Sequence, residues 1–181
     1  MDRPEYVKEM LAAINGAKKQ RMEILLDLGL DAVLRRGWYE STDFWNPEMY
    51  REFAMPAIQE EIQLAHQADT GYIYLMMTGL MPLLPELAEL PFDCLHGAEP
   101  ALDGQDLGEI HRRLPGKSIF GGISGPEHFG AKKPDVVARA VEESFRLMGK
   151  TGLILGMGDA FRPYWSWENF AVFEETWKRL R

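Results

Sequence analysis

Five short apolar runs, separated by stretches of helical periodicity, constrain the fold of this chain more than any other feature. The runs have the length of strands rather than of helices, and they occupy residues 31–36, 71–77, 92–97, 117–123 and 152–157. Strands that alternate with helices form parallel βαβ units. The sequence therefore predicts an α/β domain, built either as an open sheet or as part of a (β/α)₈ barrel.

The helical stretches between the runs have clear starts. Residues 3–28 keep apolar side chains at helical spacing, and a second helix opens at Pro47, with a kink expected at Pro56. Pro134 begins another helix with one apolar face, and Ser166 can cap the N-terminus of the last helix. One helix thus precedes the first strand, and another follows the last strand.

Glycine spacing helps to separate the two architectures. In a dinucleotide-binding open sheet, a Gly-x-Gly-x-x-Gly turn leads directly from a strand into a helix. The segment GGISGPEHFG (121–130) has other spacings, and its helix begins only near Pro134. Unusual residues also follow every strand, as in barrels that carry their sites at the carboxyl ends of the strands. The sequence therefore favours a barrel-type domain, although five units cannot close an eight-stranded barrel.

Composition predicts one soluble domain over residues 1–181. No apolar run reaches the roughly 18 residues of a membrane span, and the N-terminus lacks an apolar signal core. A net charge of −8, with no cluster of Lys and Arg, argues against nucleic acid. Cys94 is the one cysteine, which fits a reducing cytoplasm. We therefore expect a cytoplasmic protein with no nucleic acid or membrane partner.

The segment after the first strand, GWYESTDFWNP (37–47), is dense in aromatic and hydrogen-bonding groups. Trp38, Tyr39 and Trp45 can line a ligand pocket, and Glu40 and Asp43 can contribute polar contacts to it. The alternative is structural: the aromatic rings cap the end of a barrel, while the acids are solvated or cap helices. The residues alone leave both roles open.

Groups able to act as acids, bases or anion contacts follow the later strands as well. A histidine next to a strand end can transfer protons, although a lone histidine is more often a structural hydrogen-bonding group. Ser124 and His128 lie four residues apart on a loop, which is weak evidence for a nucleophile because no third group orients them. Arg162 can hold a carboxylate or phosphate, or pair with Asp159. The candidates after these strands are His96, Ser124, His128, Asp159, Arg162 and Trp165.

Four stretches, in consistent order, resemble the uroporphyrinogen decarboxylase superfamily, which includes the corrinoid-dependent methyltransferases. They are NPEMYREFAMPAIQEEIQLAH (46–66), MMTGLMPLLPELAEL (76–90), SIFGGISGP (118–126) and GLILGMGDAFRPYWSWENFAVFEETW (152–177). The family fold is a TIM-type (β/α)₈ barrel with its site at the carboxyl ends of the strands. By this resemblance the five strands correspond to the family's last five, and the first three βα units are missing from the domain.

A partial barrel of this kind has consequences for assembly. Five parallel strands leave two open edges and one uncovered sheet face. The edges and the face all need cover. We therefore expect a homo-oligomer or a partner chain that supplies the missing part of the barrel. The possibilities are a truncated chain, a split gene product, or a reduced fold completed by self-association.

The resemblance also bears on metal chemistry. In the methyltransferases, a His-x-Cys pair after the fifth barrel strand and a Cys after the eighth bind zinc. Met76, Thr78 and Asp159 stand at the matching positions here, and a thioether, a hydroxyl and one carboxylate do not make a zinc site. We therefore predict that no metal is bound, and that Met76 and Thr78 contact the substrate instead.

The resemblance implies that the protein decarboxylates a tetrapyrrole or a related acidic substrate without a cofactor. The alternatives are a zinc-less relative of the methyltransferases, which would use a corrinoid, and a non-catalytic half-barrel that binds a ligand or partner. In the decarboxylases, an Asp that contacts the pyrrole nitrogens and a substrate-binding Arg lie in the part of the barrel missing here. The catalytic candidates on this chain are Asp43, Ser124, His128 and Asp159, and the substrate contacts are Trp38, Tyr39, Met76, Thr78, His96, Arg162 and Trp165.

Overall fold

A computed structural model describes residues 3–102, 104–131, 133–158 and 160–181. Its strands form one parallel five-stranded sheet, in which the spatial order equals the order along the chain. All five predicted strands are confirmed. They are β1 (Ala32–Arg36), β2 (Gly71–Leu75), β3 (Cys94–Ala98), β4 (Ser118–Ile123) and β5 (Leu153–Met157).

Helices fill the predicted positions before, between and after the strands. Short 3₁₀ turns occupy Trp38–Glu40 and Met81–Leu83, and wider π turns occupy Tyr50–Ala54 and Gly125–Phe129. Within the described ranges, no helix is both long and apolar enough to cross a membrane. The α-helices are α1 (Pro4–Leu26), α2 (Pro47–Met49), α3 (Met55–Gln67), α4 (Leu84–Glu89), α5 (Leu107–Arg113), α6 (Pro134–Met148) and α7 (Trp167–Leu180).

The backbone irregularity expected at Pro56 lies one turn earlier. Proline has no N–H to donate to the carbonyl four residues before it. The chain meets this by widening the preceding turn, Tyr50–Ala54, so that the N–H of Met55 donates to the carbonyl of Tyr50. Pro56 then lies in the first turn of α3, where a missing donor costs little.

The helices cover one face of the sheet. Strand register aligns Tyr74, Leu95, Ile119 and Leu153 in a row across the sheet. The first three are buried in a core shared with α1, α3, α4, α5 and α6, and Leu153 packs against that core. Strands laid down in sequence order with right-handed crossovers place all their helices on one side. This is the wall of a barrel rather than a doubly wound sheet.

The other face of the sheet, which we call the open face, carries the alternate residues. The register aligns Leu75, His96, Phe120 and Ile154 in one row. Leu34 belongs to the same face, because it alternates with the buried Val33 and with Arg35, which binds Glu61 of α3. Leu34 is 44% exposed and Ile154 46% exposed. Apolar side chains therefore face solvent on the side that a closed barrel would enclose.

Candidate functional site

The carboxyl ends of the five strands point the same way, so the loops that follow them meet at one end of the sheet. The loops after β1 and β2 meet through Asp43 and Thr78. The Thr78 hydroxyl donates a hydrogen bond to the Asp43 carboxylate, and the Ser41 hydroxyl donates to the same oxygen at 3.2 Å. Asp43 is exposed, so a fixed carboxylate faces solvent at this end of the sheet.

Backbone contacts fix the same two loops. The carbonyl of Gly79 accepts hydrogen bonds from the Thr42 hydroxyl at 2.8 Å and from the Thr42 N–H at 3.2 Å. Gly79 has a φ of +58°, and a Cβ at that position would lie 2.8 Å from the Thr42 nitrogen. A glycine is therefore needed for the close approach that brings Thr78 to Asp43.

A buried ionic network supports the loop after β1 from the helix side. Arg35 binds Glu40 through two nitrogens and Glu61 of α3 through a third. Tyr74 donates to Glu40 at 2.8 Å, and Tyr72 donates to Glu61 at 2.7 Å. Burial alone would lower the pKa of Arg35, but the hydrogen bonds and charges of the two glutamates raise it overall. The charged guanidinium thus holds Glu40, three residues before Asp43.

A hydrogen-bonding residue from the loop after β3 joins the centre of the site. Gln105 donates its amide N–H to the Met77 carbonyl, and its amide oxygen accepts from the Glu99 N–H at 2.8 Å. Glu99 is 2% exposed, and its carboxylate lies beside Gly158 at the end of β5. A β-bulge between His96 and Ala98 precedes Glu99 and changes the direction of the strand end. The buried Glu99 carboxylate therefore lies between the loops that follow β3 and β5.

Ser124 and His128 are in contact, but not as a nucleophile and its base. The Ser124 hydroxyl accepts from the Glu127 N–H as an N-cap, and the residue is 1% exposed. His128 Nδ1 accepts from the backbone N–H of Ser124 at 3.0 Å. Because Nδ1 is an acceptor, the neutral ring carries its proton on Nε2. Burial lowers the pKa of His128, so it is neutral near pH 7.

Aromatic packing joins the loops after β4 and β5. Trp165 stacks on Phe129 with ring centroids 6.2 Å apart, and Phe161 contacts both rings edge to face. A Cβ on Gly125 would lie 2.5 Å from the Trp165 ring. Asn169, 1% exposed, donates from its amide to the carbonyls of Phe129 and Ala131. Trp165 therefore forms part of a packed wall rather than a free ring.

Four further sequence candidates lie apart from these clusters. His96 is inside β3 on the open face, where it stacks on Phe120 at 4.0 Å, and burial lowers its pKa. Trp38 lies under the Arg36 guanidinium at 4.3 Å. Arg162 is exposed on the loop after β5. Tyr39 is 72% exposed and packs edge to face on Phe44. The catalytic candidate Asp159 lies outside the described residues.

Met76 is not placed to contact a substrate within this chain. Its side chain is fully buried and belongs to the main core on the helix side of the sheet. The residue continues the alternation of the buried Tyr72 and Tyr74, so its side chain points to the helices. The predicted substrate contact at Met76 is therefore corrected to a core position, while Thr78, two residues on, has left the strand and reaches Asp43.

The donor set does not fit zinc. Met76 is enclosed in the core, and the Thr78 hydroxyl is engaged with Asp43. Zinc prefers thiolate, imidazole and carboxylate ligands in tetrahedral sets. Among the described residues, no three side chains of His, Cys, Asp or Glu are grouped to hold a metal ion.

Some residues of the site were missed from the sequence. Gln105 links the loops after β2 and β3, and Arg35 anchors the loop that carries Asp43. Glu99 is visible in the sequence, because it follows the third strand directly. Arg35 and Gln105 carry no such signal, since an arginine inside a strand and a glutamine on a loop are ordinary surface residues until their partners are known.

Known proteins resemble this chain in sequence and in fold. The sequence matches the family described as uroporphyrinogen decarboxylase (URO-D) over residues 1–180. It matches none of the curated proteins with which it was compared. The fold is similar to a solved methyltransferase from Methanosarcina mazei, with a TM-score of 0.77 and 16% identity over 95% of this chain. That match covers 49% of the methyltransferase chain, so this chain spans about half the length of its structural relative.

Proposed function

The chain belongs to the uroporphyrinogen decarboxylase family, and from that premise we propose that it takes part in decarboxylating a tetrapyrrole or a related acidic small molecule. The reaction proposed needs no metal and no cofactor. The setting proposed is the cytoplasm, with residues 1–181 acting as one domain. The loops at the carboxyl ends of the strands supply the groups.

The observation that carries the proposal is the Asp43 carboxylate, exposed and held by the hydroxyls of Thr78 and Ser41. In decarboxylation of a pyrrole side chain, the ring first gains a proton and becomes cationic. The carbon–carbon bond to the carboxylate then breaks, carbon dioxide leaves, and the bonding electrons neutralise the ring. A carboxylate fixed before the reaction stabilises such a cation without reorganising.

Other groups support binding of an anionic substrate. Arg162 lies on the loop after β5 and can contribute positive charge, and His128 can donate a hydrogen bond from Nε2. Tyr39 offers an exposed ring and hydroxyl next to the loop that carries Asp43. We propose that these side chains contact the substrate, while Trp38 and Trp165 shape the loops around it.

The test uses uroporphyrinogen as the probe. Binding is followed by quenching of tryptophan fluorescence, and turnover is followed by chromatography of the decarboxylated products. Asp43→Asn should lower kcat/KM about a hundredfold, because it removes the charge that stabilises the cation. Thr78→Val should lower it about tenfold, because the carboxylate loses one hydrogen bond.

The matched control is Glu48→Gln, an exposed acid on α2 close in sequence to the same loop. It should leave turnover unchanged. The measurements use the assembled protein, and absence of both binding and product there, or equal losses in Glu48→Gln and Asp43→Asn, would contradict the decarboxylase proposal.

A second candidate function is favoured by the likeness to the methyltransferase. In this version the chain is a zinc-less relative that binds a corrinoid, with its aromatic loops against the cofactor face. Incubation with methylcobalamin and a thiol, followed by the visible absorbance of the corrinoid, distinguishes it: demethylation without uroporphyrinogen turnover would replace the first proposal. A stable assembly that does neither would favour the third candidate, a non-catalytic half-barrel.

Either activity is proposed for an assembled protein. The loops described here build one side of a site, and the open face and both sheet edges lack cover from the described residues. We propose that further βα units, from the same polypeptide, a second copy or a partner chain, provide the other side.

A further inference from the structure

We infer that a cavity between α5 and α6 binds a small organic ammonium ion that also carries an oxygen able to accept a hydrogen bond. We call this space the interhelical cavity. The inference goes beyond the decarboxylation proposal, and the two have only His128 in common.

The interhelical cavity has a volume of about 550 Å³, which is within the usual range of small-molecule sites. Its walls are the loop before α5, the end of β4, the π turn at Gly125–Phe129 and one side of α6. Among the described lining residues, none comes from β1 or β5, the two outermost strands. The shape of the cavity therefore does not depend on what covers the edges of the sheet.

A close contact between β4 and α6 fixes the floor of the interhelical cavity. The Ser144 hydroxyl lies within hydrogen-bonding distance of the carbonyls of Gly122 and Ala140, at 3.0 and 2.8 Å. Gly122 has a φ of +91°, and a Cβ at that position would lie 2.6 Å from the Ser144 Oγ. A glycine is needed for this approach. Because a strand and a helix build the floor, the cavity is formed before a ligand binds.

His128 offers a fixed hydrogen-bond donor to the interhelical cavity, which it lines. Its Nδ1 accepts from the Ser124 N–H, which sets the orientation of the ring and leaves the proton on Nε2. Nothing among the described residues accepts a hydrogen bond from Nε2, and this atom is open to solvent. A ligand oxygen in the cavity therefore gains a hydrogen bond that the folded chain leaves unmade.

The charged side chains at the mouth of the interhelical cavity leave one negative charge uncompensated. Arg146 binds both carboxylate oxygens of Glu143, one of them from Nε at 2.6 Å. Asp106 accepts from the Glu109 N–H through Oδ1, and within the described ranges no cation pairs with it. Because Arg146 and Glu143 cancel and His128 is neutral, the charge of Asp106 remains. The mouth therefore favours a cationic group.

The remaining wall of the interhelical cavity is mostly apolar. Leu107, Ala140 and Leu147 line it, and Leu107 is 3% exposed. A short carbon chain can lie against these side chains. The ligand that fits has an ammonium group for Asp106, a short carbon chain, and an oxygen for the His128 Nε2–H.

The test titrates the ¹⁵N-labelled assembled protein with γ-aminobutyramide, which has an ammonium group, a short carbon chain and an amide oxygen. We expect saturable shifts of the His128 Nε2 resonance and of the Leu107 and Ala140 amide resonances, half complete at about 1 mM. Valeramide, in which a methyl group replaces the ammonium, should bind about tenfold more weakly. Isohexylamine, in which methyl groups replace the amide, should also bind about tenfold more weakly.

Two substitutions separate the charge from the donor. Asp106→Asn removes the charge and keeps an N-cap acceptor for α5, and it should weaken γ-aminobutyramide binding about tenfold. His128→Phe keeps a ring, removes the donor, and should weaken binding by a similar factor. The matched control is Asp135→Asn, which removes an exposed acid in the first turn of α6 outside the lining and should change binding less than about twofold. Urea midpoints establish that each variant is folded.

Shifts that do not saturate, equal binding of the three probes, or equal effects of Asp106→Asn and Asp135→Asn would overturn the inference. Binding of γ-aminobutyramide by an assembled protein that does not convert uroporphyrinogen would leave this inference standing and defeat the decarboxylase proposal. Uroporphyrinogen turnover without γ-aminobutyramide binding would do the reverse.

Discussion

The loops after β1 and β2 are held by charged and hydroxyl groups, whereas those after β4 and β5 are held by aromatic rings. On the first side, Arg35 binds two glutamates, and Thr78 binds Asp43. On the second side, Phe129, Phe161 and Trp165 pack on one another. Directional bonds fix a polar group in one position, and stacked rings provide a wall, so the two sides suit different roles at one site.

The two sides also differ in how complete their packing is. The main core joins residues from α1 to α6 and includes many fully buried side chains. In the second cluster the buried members are Ile123, Phe129 and Val141, and the surrounding aromatic residues are only partly buried. The region near β5 is therefore less completely packed than the main core.

The largest effect should come from breaking the ionic network. Arg35→Met would leave Glu40 and Glu61, both mostly buried, without their cation. Removing one partner of a buried pair costs about 3–5 kcal/mol, because the remaining charge stays desolvated. Urea denaturation followed by circular dichroism measures the loss.

The control is Arg139→Met, which breaks an exposed pair with Asp135 on α6. Exposed pairs contribute about 0–1 kcal/mol, so its midpoint should hardly move. Equal effects of the two substitutions would mean that the network on the first side is solvated and does not fix the loop.

Asn169→Ala should have the next largest effect, on the aromatic side. The Asn169 amide donates to two carbonyls, at 2.9 and 2.8 Å, and so ties α7 to the loop after β4. We expect a loss of about 2 kcal/mol in the free energy of unfolding, because two buried hydrogen bonds disappear.

Asn46→Ala is the matched substitution on the first side. Asn46 is an exposed N-cap whose side chain accepts from the Met49 N–H at 2.7 Å. Loss of such a cap costs about 1 kcal/mol. If Asn46→Ala lowered the free energy of unfolding more than Asn169→Ala does, the stability of the aromatic side would not depend on Asn169.

His128 gives the aromatic side a pH dependence. Burial lowers its pKa in the folded state, so the unfolded chain takes up the proton first as the pH falls. Stability should therefore decline below about pH 6.5 and level off only below the folded pKa. His128→Asn keeps an acceptor for the Ser124 N–H and should reduce the decline between pH 7 and 5, by less than about 1 kcal/mol. Urea midpoints at pH 7 and pH 5 test this. Equal declines in stability in the unmodified protein and in His128→Asn would show that His128 does not cause the pH dependence.

The smallest effect concerns the thiol on the open face. Burial raises the pKa of Cys94 to about 11. Its alkylation by iodoacetamide at pH 8 should be about a hundredfold slower in the folded protein than in urea, because the thiolate is the reactive form. Equal rates would show that β3 is accessible in the isolated chain.

Local pattern was enough for the fold of the chain. The strands have the predicted positions because branched and aromatic side chains in short runs suit a buried parallel sheet. The helix starts at Pro134 and Ser166 are confirmed because a proline in the first turn and a serine cap act within a few residues. The irregularity expected at Pro56 lies one turn earlier, because the chain widens the turn before the proline and so places Pro56 in the first turn of α3.

The site was predictable in its location but not in its pairings. That Asp43, Ser124 and His128 follow strand ends is visible in the chain. That Thr78 binds Asp43, or that His128 accepts from the Ser124 backbone instead of activating its hydroxyl, depends on the approach of separate loops. The orientation of Met76 was not predictable either. Successive side chains of a strand point to opposite faces of the sheet, so a shift of one residue moves a side chain from the core to the site.

The sequence by itself determined five strand–helix units, because short apolar runs and helical periodicity are local, and it indicated the family through four stretches that resemble it in consistent order. The tertiary structure decided which loops meet, which charges are buried with Arg35, and which side chains remain uncovered at the sheet edges. These properties arise between residues far apart in the chain. They depend on the distance and burial that packing imposes, and no local pattern encodes them.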